Sequence, residues 1–477
     1  LTPVAAHPVS AARKLAYAAP AFALAVVGIP VYIHLPKFYT DVVGIEIAAL
    51  GAILASVRIF DAVTDPLMGH LSDRTVSRFG RRRPYIALGA LLVALFILLL
   101  FNPPEGSPRF ETLWFGACIY GLFLFWTVVT VPYESLGPEV TFDHHERNTL
   151  FGLRDGLLLA GTLVAAASPA AVRHLFGLPP DAAGERAKFF WIAAIYAPLV
   201  VASAWLCVLS IRELPHPAPP APGLRRGLGR VLSNRPFVVL LTAYTLGAFG
   251  GNLPAALILY YVEIVIESPH ADLFLLLYFL TGILFLPGWV AAARRIGKKR
   301  AWIGSILINT GAFVGVFFLG PGDAALYGVL VFLSGIGLGA TLALPSSIQA
   351  DVIDYGELLT GERREGQYIG LWSVAKKLAA AAGIGIGLFT LGLAGYTPNA
   401  EQPEAVRTAL RVLYALVPSL CNLAALGIAL FYPITADVHR EILEAVRRRK
   451  TGEPYRDPLA AAGLVRGGGN RKGGLNG

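Results

Sequence analysis

Arg58, Asp61, Thr64 and Asp65 share one helical stretch inside a long apolar run. Hydrocarbon disfavours ionised side chains, so charges kept there usually face an internal cavity and mark an ion or substrate path. Asp61 and Asp65 are four residues apart, which on a helix puts both carboxylates on one face, about 5–6 Å apart at Cβ. Thr64 adds a hydroxyl oxygen on the same side, and Arg58, three residues before Asp61, can pair with it. Anionic oxygens with neutral oxygens beside them suit a hard monovalent cation, Na⁺ or Li⁺, as the only metal expected. A shared proton suits them equally, because neighbouring carboxylates resist joint ionisation. The competing reading is a structural ion-pair network of Arg58 with Asp61 that only fixes helix packing.

Other polar groups interrupt later apolar runs. Thr127 lies at a depth where its hydroxyl completes a cation shell or back-bonds to its own helix, and Pro132 nearby frees a carbonyl. Arg154 is either a cavity residue or a snorkelling interface arginine. Lys376 and Lys377 point about 100° apart on a helix, so at least one faces a cavity. Lys377 would then compensate the aspartate pair from the opposite half and couple ion occupancy to gate movement. Tyr133, Tyr368 and Trp372 are candidates to stack on a sugar-like or amphipathic ligand, with plain aromatic packing as the alternative. Gly383, Gly385 and Gly387 permit close helix approach. The loop charges Asp73, Arg74, Arg81 and Arg82 read as topology determinants and gate contacts.

The elements that must position these groups follow from composition. The 477 residues are 55% hydrophobic and only 15% charged, against roughly 25% charged in soluble domains; this places the chain in a membrane. About twelve apolar runs between Leu15 and Tyr432 reach the length of a spanning helix. They are continuously apolar, unlike the alternating strands of a β-barrel. The net charge of +9 does not indicate nucleic acid, because the basic residues cluster in short loops. Arg74 to Arg83 and Arg294 to Arg300 alternate with acidic loops at Asp41, Glu263, Asp323 and Glu401, which places both termini in the cytoplasm. Cys118, Cys207 and Cys421 fall in apolar runs and imply no disulfide framework. With no clustered His/Cys metal set or glycine-rich phosphate loop, no enzyme and no cofactor beyond the coupling ion are expected; His144-His145 reads as a solvated pair.

An internal repeat divides the chain. Pro66 to Asp73 before Gly80-Arg81-Arg82-Arg83 matches Pro287 to Arg294 before Gly297-Lys298-Lys299-Arg300. Asp61, Asp65 and Arg58 pair with Gly282, Leu286 and Phe279, so the charges belong to one half only, which argues for a ligand site. The expected architecture is all-α: twelve transmembrane helices in two pseudo-symmetric six-helix bundles around a mid-membrane site, the major facilitator fold. Its parts are a first bundle with the cation site over 1–213, a Pro-rich basic linker over 214–235, a second bundle over 236–433, and a charged, then Gly-rich, tail over 434–477.

The sequence is similar to the glycoside–pentoside–hexuronide:cation symporter family, the melibiose-permease group. The resemblance runs through Tyr39-Thr40-Asp41-Val42-Val43-Gly44, Arg58 to Gly69, Arg78 to Ile86, Val131-Pro132-Tyr133, Glu146-Arg147, Ala350 to Glu357, Glu365-Gly366, Lys377 and Gly395 to Asn399. It implies a coupling-cation site at Asp61 and Asp65, helped by Thr64 and Thr127, and functional basic residues at Arg154 and Lys377. The family often has Asn at the position of Thr64. Galactoside-transporting members carry sugar-binding acids where this chain has Ala25 and Thr130, which argues against a melibiose-like substrate. The stretch at Thr130 also resembles vertebrate lysolipid carriers.

The leading expectation is a monomeric, cation-coupled symporter of a glycoside or other small sugar-like solute, working by alternating access in the bilayer of a bacterial inner membrane. Its partners are the small-molecule substrate and a monovalent cation. A carrier of an amphipathic substrate such as a lysolipid is the alternative, and a non-transporting receptor or scaffold is a third reading.

Overall fold

The computed structural model describes residues 10–75, 77–140, 144–211, 213, 229, 231–362 and 365–461. Most of the expected linker, Arg212, Asp143 and the Gly-rich tail lie outside these residues. Among the described residues, twelve helices are long and apolar enough to cross a membrane. The first half holds α1 (Ala11–Val43), α2 (Ile47–Arg74), α3 (Arg83–Phe101), α4 (Pro108–Val140), α5 (His144–Leu175) and α6 (Ala182–Ser210). The second holds α7 (Arg235–Ile264), α8 (Ala271–Ile296), α9 (Lys298–Phe317), α10 (Ala324–Thr360), α11 (Glu365–Leu393) and α12 (Glu404–Leu430). Two tail helices follow, α13 (Ala436–Thr451) and α14 (Pro458–Ala461).

Capping side chains start several helices by accepting from otherwise orphaned backbone N–H groups. Asp181 caps α6 and Asn234 caps α7. Asn234 also donates to the Val352 carbonyl and the Tyr368 hydroxyl, each at 3.0 Å, so the start of α7 is tied to α10 and α11. Tyr368 is thereby committed to packing inside the second half. α1 widens into π-helical turns at Pro30–His34 and Tyr39–Val43, the first where proline removes a backbone donor.

The two halves pack by the same scheme. α1 lies on α5 and α6, α2 on α4, and α3 on α4 and α6; α7 lies on α11 and α12, α8 on α10, and α9 on α10 and α12. Across the interface α2 packs along α11 and α5 along α8. Small residues set the first of these contacts. A Cβ on Gly51 would stand 2.9 Å from the Leu388 Cβ, and one on Gly385 would stand 2.8 Å from the Ala55 Cβ.

Apart from Lys377 with Asp61 and Asp65 at mid-span, polar contacts join the halves at the end remote from the termini. Asp41 is their hub. It accepts from the Tyr396 hydroxyl at 2.6 Å, pairs with Lys37 at 2.5 Å, and its carbonyl accepts from Asn399 at 2.7 Å. Lys37 also reaches Glu263 on α7 at 2.6 Å, and the Thr40 hydroxyl lies 3.0 Å from that of Tyr260. Burial and the neighbouring Asp41 carboxylate push the Tyr396 hydroxyl far above its ordinary pKa, so it stays a donor. At the end bearing the termini, ion pairs close within each half: Lys14 with Glu146 and Arg82 with Asp73 in the first, Lys298 with Asp351 and Lys450 with Glu357 in the second. Between these levels Glu134 and Lys376 are exposed within the span.

Candidate functional site

At mid-span α2 brings Arg58, Asp61 and Asp65, α4 brings Thr127, and α11 brings Lys377. Asp61 is buried, Thr127 is fully buried, and Asp65 is partly exposed. The Thr127 hydroxyl lies 2.8 Å from Asp61 Oδ1 and 3.0 Å from Asp65 Oδ1. One hydroxyl hydrogen serves both oxygens in turn, and the oxygen keeps its lone pairs. Thr127 therefore meets the carboxylates and does not back-bond.

Lys377 closes the cluster from the other half. Its Nζ stands 2.8 Å from Asp61 Oδ2, contacts Asp65 Oδ2, and lies 3.4 Å from the Asp61 carbonyl oxygen. Arg58 Nη1 is 4.0 Å from Asp61 Oδ2. The guanidinium lies 4.1 Å from the Tyr32 ring centre and 4.8 Å from that of Phe123, and donates to the Tyr32 hydroxyl at 3.2 Å. Two aromatic faces thus hold Arg58 beside the aspartate pair. The protein's own charges balance, two carboxylates against an ammonium and a guanidinium.

The structure separates the remaining candidates. Thr64 gives its hydroxyl to the Asp61 carbonyl at 3.2 Å, and Thr130 gives its own to the Trp126 carbonyl at 3.0 Å; both are bonded to their own helices. Tyr133 is buried, donates to the Tyr17 carbonyl at 2.8 Å, and packs within the first half. Trp372 lies on Tyr244 with ring centres 4.0 Å apart. Ala25 is partly buried where α1 meets Gly161 of α5. Arg154 pairs with Asp155 at 2.7 Å over the Phe151 ring.

The loop charges are tied inside the first half. Arg82 reaches Asp73 at 2.8 Å, and the Glu213 carboxylate accepts the backbone N–H groups of Arg81, Arg82 and Arg83. Arg74 is exposed. Sequence reasoning missed the closed end around Asp41, although it lies in the Tyr39-Thr40-Asp41 motif, and missed Tyr244 as the partner of Trp372. The three cysteines are free.

A family model described as MFS/sugar transport protein matches residues 16–436. The glucuronide carrier protein homolog of Escherichia coli (strain K12) is 30% identical over 431 residues, covering 88% of this chain and 91% of the relative. The putative glycoside/cation symporter YagG of the same strain is 25% identical over 437 residues, covering 90% and 93%. Among solved structures, a mutant of the nucleoside transporter NupG superposes with a TM-score of 0.64 at 15% identity, covering 87% of this chain and 99% of that one. That likeness is one of fold and agrees with the twelve-helix expectation. The relatives' names do not favour the lysolipid alternative. The chain belongs to the MFS/sugar transport family, within the group of glycoside–pentoside–hexuronide:cation symporters whose motifs it carries, and it is a membrane transporter and not an enzyme.

Proposed function

We propose that the protein is a cation-coupled symporter of a glycoside or related sugar-like solute. The observation that carries the reading is the contact of Lys377, on the second half, with both Asp61 and Asp65, on the first. An ammonium there supplies the charge that Na⁺, Li⁺ or a proton would supply. While Lys377 is engaged, the coupling ion is excluded. When the halves part at this level, Lys377 withdraws and leaves two carboxylates with the Thr127 oxygen as a ready ligand set. Ion and lysine then bind in alternate states, and a ligand shifts a two-state equilibrium by its differential affinity for the states.

The basic loops orient the termini to the cytoplasm of a bacterial inner membrane. On that orientation the end held together around Asp41 faces outward, and in this reading Lys377 in place marks the inward-facing state that releases the ion. Relatives named for a glucuronide and for glycosides support a sugar-like cargo. With Ala25 and Thr130 offering no acid, we assign the sugar hydroxyls to Glu134 of α4 and Lys376 of α11, both exposed within their spans. The protein works as a monomer, since one chain contains both halves of the site.

The test is uptake into proteoliposomes under an imposed Na⁺, Li⁺ or proton gradient. Wild-type protein accumulates the sugar above the external level; Asp61→Asn and Asp65→Asn bring it only to equality. Uphill accumulation persisting in both variants would remove the site.

A further inference from the structure

The second basic loop of the repeat departs from the first in its chemistry. In the first half Asp73 pairs with Arg82, and the Glu213 carboxylate accepts the backbone N–H groups of Arg81, Arg82 and Arg83. The position paired with Asp73 is Arg294, and no carboxylate occurs between Pro287 and Ile308. The two lysines of this loop are engaged: Lys298 pairs with Asp351 at 2.7 Å, and Lys299 donates to the carbonyls of Leu430 and Tyr432. The three arginines are not. Arg294, Arg295 and Arg300 are exposed, and among the described residues none makes an ion pair or a side-chain hydrogen bond.

Their placement aims these guanidiniums at the edge of the bilayer. α8 ends at Ile296, and Gly297, with a φ of 89°, turns the chain straight into α9 at Lys298; only glycine adopts that conformation without strain. Around the axis of α8, Arg295 lies within about 60° of Leu273, Leu280 and Leu284. Around that of α9, Arg300 lies within about 40° of Leu307, Val314 and Phe318. All of these apolar side chains are exposed, and exposed apolar side chains on a spanning helix meet hydrocarbon. Each arginine therefore ends a lipid-facing stripe at the end of the molecule that bears the termini, with the half-exposed Ile296 between them. A topology signal needs only the number of basic residues. It does not need them at the heads of two lipid-facing stripes with every acid removed.

We propose that Arg295 and Arg300, with Arg294 beside them, bind the phosphate of an acidic phospholipid whose acyl chains lie along α8 and α9. A guanidinium presents parallel N–H donors to phosphate oxygens, and the exposed leucines take the chains. The site stands apart from the ion and sugar groups and does not depend on the cargo.

Native mass spectrometry of the purified transporter, titrated with phosphatidylglycerol and with chain-matched phosphatidylcholine, reads the affinity of each bound lipid. One phosphatidylglycerol should bind the wild type about thirtyfold tighter than phosphatidylcholine. Arg295→Gln and Arg300→Gln should each weaken it about fivefold, and the double variant should bring it to the level of phosphatidylcholine. The melting temperature in lipid-free detergent stays at the wild-type value, because neither guanidinium has a partner in the protein. Each single variant keeps the other arginines, Lys298 and Lys299, so the loop retains the charge that orients it and the test stands even if the double variant does not insert. A wild type that binds the two lipids equally, or variants that keep the preference, would leave the arginines as topology charges and overturn the proposal. Inorganic phosphate that displaces the lipid at equal concentration would make the ligand a free anion and overturn it as well.

Discussion

At the scale of single residues, Arg58, Thr127 and Lys377 share the two negative charges of Asp61 and Asp65. Thr127 contributes an oxygen that touches both carboxylates without a charge of its own. Thr127→Val keeps its shape and removes that oxygen. A hydrogen bond to a charged group is worth about 1.5–3 kcal/mol, so the cation concentration for half-maximal uptake should rise about ten- to a hundredfold. A cation titration of sugar uptake reads this directly, and an unchanged midpoint would show that Thr127 only orients the carboxylates. Asp61, Asp65 and Lys377 were legible because helical spacing says which groups share a face, and because charge in an apolar run needs a partner. The fates of Thr64, Thr130 and Tyr133 were not legible. Spacing fixes a face but not a rotamer, and a hydroxyl on the correct face still satisfies itself on the preceding turn's carbonyl.

The elements determine which end of the molecule is shut. α2 and α11 approach closely through Gly51 and Gly385, and the sequence pointed to the glycines on α11. Gly385→Val would place a branched side chain where even a Cβ comes within 2.8 Å of the Ala55 Cβ. That variant should still insert and fold while the sealed end is wedged apart. The expected result is loss of accumulation together with faster modification of Asn399→Cys by a membrane-impermeant maleimide, in a background where Cys118, Cys207 and Cys421 are replaced. Slow labelling equal to the parent's would mean that the α2–α11 contact does not govern closure. The tail shows another limit of sequence reading. The sequence showed only a charged, then Gly-rich, tail, in which α13 spans Ala436–Thr451. Its docking came only with the structure: His439 lies 3.0 Å from Asp354, and Lys450 pairs with Glu357 on α10. Long-range pairing of charges leaves no periodic trace in a sequence.

The whole molecule consists of two halves with the same packing scheme and different chemistry. The repeat around Pro66 and Pro287 made that symmetry visible in the sequence, and the mismatch of Asp61 with Gly282 made its breaking visible. The side on which the halves part depends on contacts of Asp41 with Tyr396 and Asn399, more than 350 positions away, which no local pattern encodes. Among the described residues, Lys377 is the charge that crosses from half to half at the level of the ion site. Replacing it tests the central claim most directly. Lys377→Met leaves two carboxylates with the Arg58 guanidinium alone to balance them, and removing one partner of a buried pair costs about 3–5 kcal/mol, so in ion-free buffer the variant should melt well below the wild type. Calorimetric titration of wild-type and Lys377→Met protein with Na⁺ and Li⁺, repeated across pH for protons, is the decisive measurement. If lysine and ion compete, one of these cations binds the variant at least about tenfold tighter than the wild type and restores its melting temperature. Binding that is equal or weaker for every ion would contradict the exchange on which the account rests.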